Sequence, residues 1–156
     1  MKTKNKTALA EKIREFLTHK NVAVGGASRD PKKFGNIVLK DLLAKGYAAV
    51  PVNPNAEEID GHKCYPNLSA LPKEIDALVL VTPPVQSLLL LKEAIARGFQ
   101  HVWLQQGSED NAVIDFCIQN NLKYVSGRCI LMHLEPVKGF HGVHRFISKV
   151  FGTFPN

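Results

Sequence analysis

Short, almost continuously apolar runs alternate with amphipathic stretches along most of this chain, and this alternation limits the folds open to it. The apolar runs lie at residues 22–28, 47–52, 76–81, 101–104 and 122–126. Stretches with helical spacing lie at 7–19, 34–45, 85–97 and 111–120. Strands that are apolar on both faces are typical of a parallel sheet covered by helices on both sides. The sequence therefore predicts a Rossmann-like α/β fold: doubly wound, three-layered, with a mainly parallel five-stranded sheet.

The length and the absence of repeats, low-complexity segments and linkers predict one domain over residues 1–156. Residues 1–20 are expected to form a basic helix. Residues 55–75 are expected to replace one crossover with a loop or a short helix. Residues 137–156 are expected to form a helical tail, with apolar residues at helical spacing at Phe140, Val143, Phe146, Ile147 and Val150.

The formal net charge of +6 is concentrated at the two ends of the chain. Residues 1–20 carry +4 and residues 137–156 carry +3, whereas residues 21–136 carry −1. Basic ends fit a weak phosphate-backbone footprint, but the chain has no zinc-finger spacing, helix-turn-helix signature or RNP-like aromatic pattern. Nucleic-acid binding is therefore disfavoured, and solvated charged helices are the preferred interpretation.

The location and redox environment of the protein can also be inferred from the sequence. No apolar run approaches the ~18 residues of a membrane span, and no secretory signal follows the basic start. Cys64, Cys117 and Cys129 show no CxxC or zinc spacing, so we expect a reducing, cytoplasmic environment. His141 and His144 form an HxxH without a third ligand, and we expect no metal site there.

Four predicted strands end in chemically unusual turns: Gly25-Gly26-Ala27-Ser28-Arg29, Val52-Asn53-Pro54, Thr82-Pro83-Pro84 and Gln105-Gln106-Gly107-Ser108. In open parallel sheets the ligand binds outside the carboxyl ends of the strands. The first turn has the small residues that let backbone N–H groups approach a phosphate, and it is followed by a helix N-terminus. A simple tight turn is the competing interpretation of the glycine pair.

The residues around these turns narrow the choice of ligand. The first turn lacks the G-x-G-x-x-G spacing, and the second strand ends without an acidic residue, so NAD is disfavoured. No Walker loop is present. Arg29, Lys32 and Lys33 suit a nucleotide with additional phosphate, and Thr82, Pro83 and Pro84 offer an apolar wall, lacking competing N–H donors, for a long uncharged arm. Coenzyme A (CoA) is a ligand of this kind.

A set of short motifs connects the chain to a known family. The motifs are Val24-Gly25-Gly26-Ala27-Ser28-Arg29-Asp30-Pro31 with Lys33 and Gly35, Gly46-Tyr47, Val50-Pro51-Val52-Asn53-Pro54, Glu58-Ile59-Asp60-Gly61, Tyr65-Pro66-Asn67-Leu68, Leu71-Pro72 and Arg128-Cys129. Over residues 20–135 the chain resembles the small stand-alone CoA-binding domain proteins. These are similar to the N-terminal CoA-binding domain of the succinyl-CoA synthetase α subunit.

The resemblance implies roles for individual residues. Ala27, Ser28 and Arg29 would hold the phosphates, and 52–54 would lie beside the adenosine. Residues 82–84 would flank the pyrophosphate and pantetheine, with 105–107 beyond them. Two positions depart from the family pattern: Asn55 replaces a lysine, which leaves the ribose phosphate to Lys33 or another base, and His133 replaces a glutamate. The candidate CoA-binding residues are Gly25, Gly26, Ala27, Ser28, Arg29, Lys33, Val52, Asn53, Pro54, Thr82, Pro83, Pro84, Gln105, Gln106 and Gly107.

The expected function is non-catalytic binding of CoA or acyl-CoA, because the phosphate-carrying histidine of the synthetase-like proteins belongs to a further domain. Two enzymatic alternatives stay open: a nicotinamide-dependent reductase fragment, and a CoA-dependent ligase subunit completed by a partner chain. A homo-oligomer also stays open. Cys129 follows Arg128 and is a candidate thiol near the CoA thiol, although a small buried cysteine is the preferred interpretation.

Overall fold

The computed structural model describes residues 2–134. Four α-helices cover Lys2–Thr18 (α1), Phe34–Ala44 (α2), Pro84–Arg97 (α3) and Asn111–Gln119 (α4). The strands are Asn21–Gly25 (β1), Ala48–Val52 (β2), Glu58–Ile59 (β3), His62–Lys63 (β4), Ala77–Leu80 (β5), His101–Gln105 (β6) and Lys123–Arg128 (β7). Two 3₁₀ turns lie at Leu68–Ala70 and Ile130–Met132.

Five strands form one parallel sheet in the order β2-β1-β5-β6-β7. Its central strands β1 and β5 are almost entirely buried, as a parallel sheet between two helical layers requires. The strand order reverses between β1 and β5, which makes the sheet doubly wound. The predicted Rossmann-like fold is confirmed, and the carboxyl ends of β1 and β5 mark the switch point.

Alternate residues of the strands enter two separate cores, because successive side chains of a strand point to opposite faces. One core contains Phe16 of α1 and Leu39 of α2 packed on Val24, Val79 and Trp103. The other contains Leu91 of α3 and Cys117 of α4, packed on the strand residues Ala23, Leu78 and Leu104 at the opposite face. The sheet is thus held rigidly from both sides, and the loops after its strands have a fixed base.

The crossover between β2 and β5 holds the main local difference from the sequence prediction. Residues 55–75 contain the two-stranded antiparallel hairpin β3-β4 as well as a 3₁₀ turn. Asp60 and Gly61 connect the two strands and both have positive φ, 50° and 78°. An Asp-Gly pair with this backbone is typical of a type I′ hairpin turn, so this dipeptide could have predicted the hairpin from the sequence.

Other differences are confined to element ends. Helix α1 covers Lys2–Thr18, which agrees with the basic helix expected at residues 1–20 and begins five residues before the amphipathic spacing, and β7 extends to Arg128. The predicted tail at 137–156, with His141 and His144, lies outside the described residues, and the single-domain organisation stays a prediction. Within residues 2–134, no helix combines the length and apolarity needed to cross a membrane.

Candidate functional site

The loop between β1 and α2 is built around two glycines in close backbone contact. Gly26 has φ +107°, and a Cβ there would lie 2.2 Å from the carbonyl oxygen of Val81. A Cβ on Gly35, in the first turn of α2, would lie 2.2 Å from the carbonyl oxygen of Gly26. Both positions therefore require glycine. The start of α2 is pressed onto the loop, and the loop onto the end of β5.

A buried asparagine fixes the next part of this loop. Asn36 is 1% exposed, and its side chain accepts a hydrogen bond from Ser28 N–H at 2.7 Å and donates one to Ser28 C=O. The Ser28 hydroxyl accepts a hydrogen bond from Asp30 N–H at 3.1 Å. The backbone amide and hydroxyl of Ser28 thus maintain the loop conformation, although the sequence pattern presents Ser28 as a ligand donor.

Three cations surround the N-terminus of α2. Arg29, Lys32 and Lys33 are exposed, and none of them forms a salt bridge within residues 2–134. Lys33 occupies the N-cap position, no side chain caps the helix, and its first turn contains no acidic residue. A helix N-terminus carries partial positive charge on free N–H groups. Together these features make this surface positively charged, and anions are stabilised at surfaces of this kind.

The turn after β2 is joined to the first loop. Asn53 donates a side-chain hydrogen bond to Ala27 C=O at 2.9 Å, and its side-chain oxygen accepts one from Asn55 N–H at 2.8 Å. Val52 is 4% exposed, whereas Pro54 is exposed. Asn53 therefore holds two strand ends together, and Pro54 is the residue of this turn that a ligand can touch.

The turn after β5 also combines residues that hold the backbone with one exposed residue. Thr82 is buried, and its hydroxyl lies 2.8 Å from the hydroxyl of Ser87, which also donates to Thr82 C=O. Val81 N–H donates to Gly25 C=O at 2.7 Å, which joins this turn to the β1 loop. Pro84 begins α3 at a position where proline is favoured. Pro83 is exposed and provides the apolar surface that the sequence predicted.

The turn after β6 combines one buried amide with an exposed backbone. Gln105 is 4% exposed and accepts a hydrogen bond from Ile130 N–H at 3.1 Å, so its side chain supports the segment after β7. Gln106 and Gly107 are exposed. Ser108 donates to Leu80 C=O at 3.0 Å and joins this turn to the end of β5.

The structure brings all four predicted turns to one edge of the sheet and divides their residues by role. Buried members maintain the backbone, and exposed members are available to a ligand. Two residues with structural roles at this edge were missed, Asn36 and Ser87, whereas Ser108 was named in the fourth predicted turn but not among the candidate binding residues. Asn36 and Ser87 lie on the buried faces of their helices, and a polar residue among apolar neighbours was the available signal. The exposed predicted residues are Arg29, Lys33, Pro54, Pro83, Gln106 and Gly107; the buried ones are Gly25, Ala27, Val52, Thr82 and Gln105; Gly26, Ser28, Asn53 and Pro84 are intermediate.

The three cysteines are all unpaired. Burial raises the pKa of the Cys117 thiol to about 11, and burial also raises the pKa of Cys64. Both are buried, and both are poor nucleophiles because the thiolate is scarce at neutral pH. Cys129, for which a buried position was the preferred interpretation, is instead partly exposed, because it follows the last residue of β7 and leaves the sheet there.

This arrangement can be compared with known proteins. A family model described as a CoA binding domain matches residues 20–135. The chain belongs to this CoA-binding domain family. The match covers all five strands of the main sheet and the four turns at its carboxyl edge.

Relatives of this CoA-binding domain fall into two groups. The α subunit of an ADP-forming acetate–CoA ligase II from Pyrococcus furiosus is 29% identical over 149 residues, which is 88% of this chain but only 31% of that subunit. A conserved hypothetical protein of known structure from Pyrococcus furiosus is 46% identical, with a TM-score of 0.69. The alignment covers 71% of this chain and 96% of that one.

A third relative connects the fold to a larger solved enzyme. The dinucleotide-forming acetyl-coenzyme A synthetase 1 of Ca. Korarchaeum cryptofilum, solved with phosphate and ADP, is 28% identical with a TM-score of 0.62. The alignment covers 71% of this chain and 26% of the synthetase. The chain thus spans less than a third of the ligases and synthetases that it matches.

Proposed function

We propose that this domain binds CoA or acyl-CoA at the carboxyl edge of its sheet, without catalysing a reaction on its own. The observation that carries the proposal is the uncapped N-terminus of α2 surrounded by the exposed cations Arg29, Lys32 and Lys33. CoA has a diphosphate and a ribose phosphate, and these anions match the charge and the N–H donors of this surface.

The other exposed residues suit the rest of the same ligand. Pro54 lies after β2, on the adenosine side of the loop, and Pro83 lies after β5 on the other side. The resemblance to the synthetase implies a lysine at the position of Asn55, and because this chain has none there, we assign the ribose phosphate to Lys33. The arm would then pass over Pro83, which donates no N–H, toward Gln106 and Gly107.

Isothermal titration calorimetry with CoA, acetyl-CoA, NAD and NADP tests the proposal. We expect saturable binding of CoA or acetyl-CoA and little heat from the nicotinamide nucleotides. No CoA binding at millimolar concentration would refute the proposal, and binding of NADP alone would favour the reductase alternative. Nucleic-acid binding through the basic ends is the competing possibility. It would be supported by binding of nucleic acid whose affinity falls steeply with salt and is unchanged by Arg29→Ala.

A second candidate function is that of a ligase subunit that needs a partner chain. It is favoured by the 88% coverage of this chain by a ligase α subunit that is itself about three times longer. Purification from the source cell tests it: a second polypeptide at constant ratio, with acyl-CoA turnover in the presence of ADP and phosphate, would support it. A homo-oligomer that binds CoA without turnover would support the first proposal.

We extend the proposal to a reducing compartment such as the cytoplasm. All three thiols, Cys64, Cys117 and Cys129, are unpaired in the structure. Free cysteines persist where glutathione and thioredoxin keep thiols reduced. Fractionation of the source cell, with detection of the protein by antibody, tests this assignment.

A further inference from the structure

Two opposite charges at the carboxyl end of β7 are not explained by the site described so far. Glu109 lies in the loop after β6, and Arg128 is the last residue of β7. Glu109 Oε1 accepts a hydrogen bond from Gly127 N–H at 3.0 Å, and Arg128 Nη1 lies 3.5 Å from Gly127 O. No salt bridge joins the two side chains in the part of the chain that the structure describes.

Each of these side chains has one buried polar atom without a partner. Glu109 Oε2 and Arg128 Nε are shielded from solvent, and neither has a hydrogen-bond partner among residues 2–134. A buried polar group without a partner is unfavourable, and more so when the group is charged. Both residues are partly exposed, so other atoms of each side chain reach the surface. A ligand group that both accepts and donates hydrogen bonds would satisfy both.

The position of the pair is fixed by the neighbouring strand. Arg128 lies opposite Gln105 in the register of β6 and β7, and its carbonyl accepts a hydrogen bond from Trp103 Nε1 at 3.1 Å. Gln105 and its neighbours Gln106 and Gly107 form the turn over which the arm of CoA is proposed to pass. The pair therefore lies next to this turn, at the far end of the proposed path of the arm.

The length of the pantetheine arm matches this position. From β1, where the phosphates are assigned, to β7 is three strand spacings, or about 14 Å. The arm has about as many backbone bonds as four residues of polypeptide, and four extended residues span at most about 14 Å. An arm that starts at the β1 loop and follows the edge of the sheet thus ends near β7. The amide nearest the thiol lies three bonds before this end, between β6 and β7, which are the strands that Glu109 and Arg128 follow and end.

We propose that Glu109 and Arg128 bind the amide nearest the thiol end of the pantetheine arm, an assignment that rests on the proposed function. Arg128 donates to the amide oxygen, and Glu109 accepts from the amide N–H. The paired charges suit a neutral amide better than an anion, because Glu109 repels a carboxylate placed beside Arg128. The pair recognises the arm of CoA, whereas Arg29 and Lys33 recognise its phosphates.

Calorimetry of Arg128→Gln and Glu109→Gln with two ligands tests this assignment. The ligands are CoA and 3′-phosphoadenosine 5′-diphosphate, which keeps the phosphates but lacks the arm. We expect each substitution to weaken CoA binding about tenfold, the loss of one hydrogen bond to a charged group, without changing the affinity for the nucleotide. Glu74→Gln is the matched control, because Glu74 is exposed and precedes β5 at the opposite edge of the sheet.

The outcomes separate this inference from the proposed function. Unchanged CoA affinity, or equal losses for CoA and the nucleotide, would overturn the assignment while the proposed function stands. A wild-type protein that binds neither ligand would overturn both. If Arg128→Gln fails to fold, Arg128→Lys keeps the charge, and an intermediate CoA affinity with unchanged nucleotide affinity is expected; a loss of both affinities would count against the assignment.

Discussion

The charged side chains at the two edges of the sheet differ in whether they form salt bridges. At the amino edge, His19 lies 3.0 Å from Asp76, and Glu15 lies 3.2 Å from His101 and 2.6 Å from Lys123. At the carboxyl edge, Arg29, Lys32 and Lys33 form no side-chain salt bridge within residues 2–134. Neutral polar side chains hold the loops after β1, β2 and β5. Charges at the first edge satisfy one another, whereas those at the second are available to a ligand.

The difference shows how a site can be both rigid and charged. At the amino edge the ion pairs attach α1 to the sheet, and the rings of His19 and His101 stack with centroids 4.0 Å apart. At the carboxyl edge Asn36, Asn53 and Ser108 hold the backbone through hydrogen bonds that do not consume the cations. Substitutions at the two edges should therefore separate stability from affinity.

The largest expected effect is that of Gly26→Ala. The new Cβ would lie 2.2 Å from the Val81 carbonyl oxygen, in addition to the strain of φ +107°. We expect a loss of about 3 kcal/mol or more in the free energy of unfolding, together with loss of CoA affinity. Urea denaturation and calorimetry measure the two effects.

Gly98→Ala is the matched control for this substitution. Gly98 also has a positive φ, +88°, but a Cβ there meets nothing within 4 Å. The expected cost is about 1 kcal/mol, from backbone strain alone, with CoA affinity intact. Equal destabilisation by the two substitutions would show that the close approach of Gly26 to the end of β5 adds nothing to the cost of an alanine at this position.

Asn36→Ala should have the next largest effect. It leaves Ser28 N–H and C=O without their side-chain partner in a mostly buried setting, at a cost of about 2–3 kcal/mol. We also expect weaker CoA binding, because Arg29 follows directly in the loop. Urea denaturation combined with calorimetry checks both, and full affinity in a destabilised variant would show that the loop holds its shape without Asn36.

The sequence allowed prediction of the fold and of the edge at which the turns meet, but not of the roles within each turn. Apolar runs and glycine caps report strand and helix positions because burial and backbone geometry are local constraints. Whether Gln105 faces a ligand or Ile130 N–H depends on a contact 25 residues away in the chain. Single-sequence patterns do not encode such contacts, so Thr82 and Gln105 were placed in the site by position alone.

Arg29→Glu should alter affinity with little effect on stability. Arg29 is exposed, and the substitution replaces a phosphate partner with a like charge, so we expect CoA binding to weaken by more than ~1 kcal/mol. The midpoint of urea denaturation should stay unchanged. Arg14→Glu, at an exposed position of α1, is the control. An equal loss of affinity in both variants would indicate a long-range electrostatic effect instead of a local contact between Arg29 and a phosphate.

The smallest expected effect comes from the amino edge, with Glu15→Gln. Hydrogen bonds from Lys123 and then His101 lower the pKa of the Glu15 carboxyl below its ordinary value of 4.5. A carboxylate whose pKa is lower in the folded state stabilises the fold above its unfolded pKa, and this contribution disappears as the pH falls through the folded pKa. The variant should therefore melt about one or two degrees below wild type at pH 7 and approach it below pH ~4.5, with CoA affinity unchanged. Glu11→Gln, on the same helix, should melt with wild type at pH 7, since Glu11 has no ion pair among the described residues. If the difference in melting temperature between Glu15→Gln and wild type grew on acidification, or if this variant lost CoA affinity, the amino edge would not contribute to stability alone.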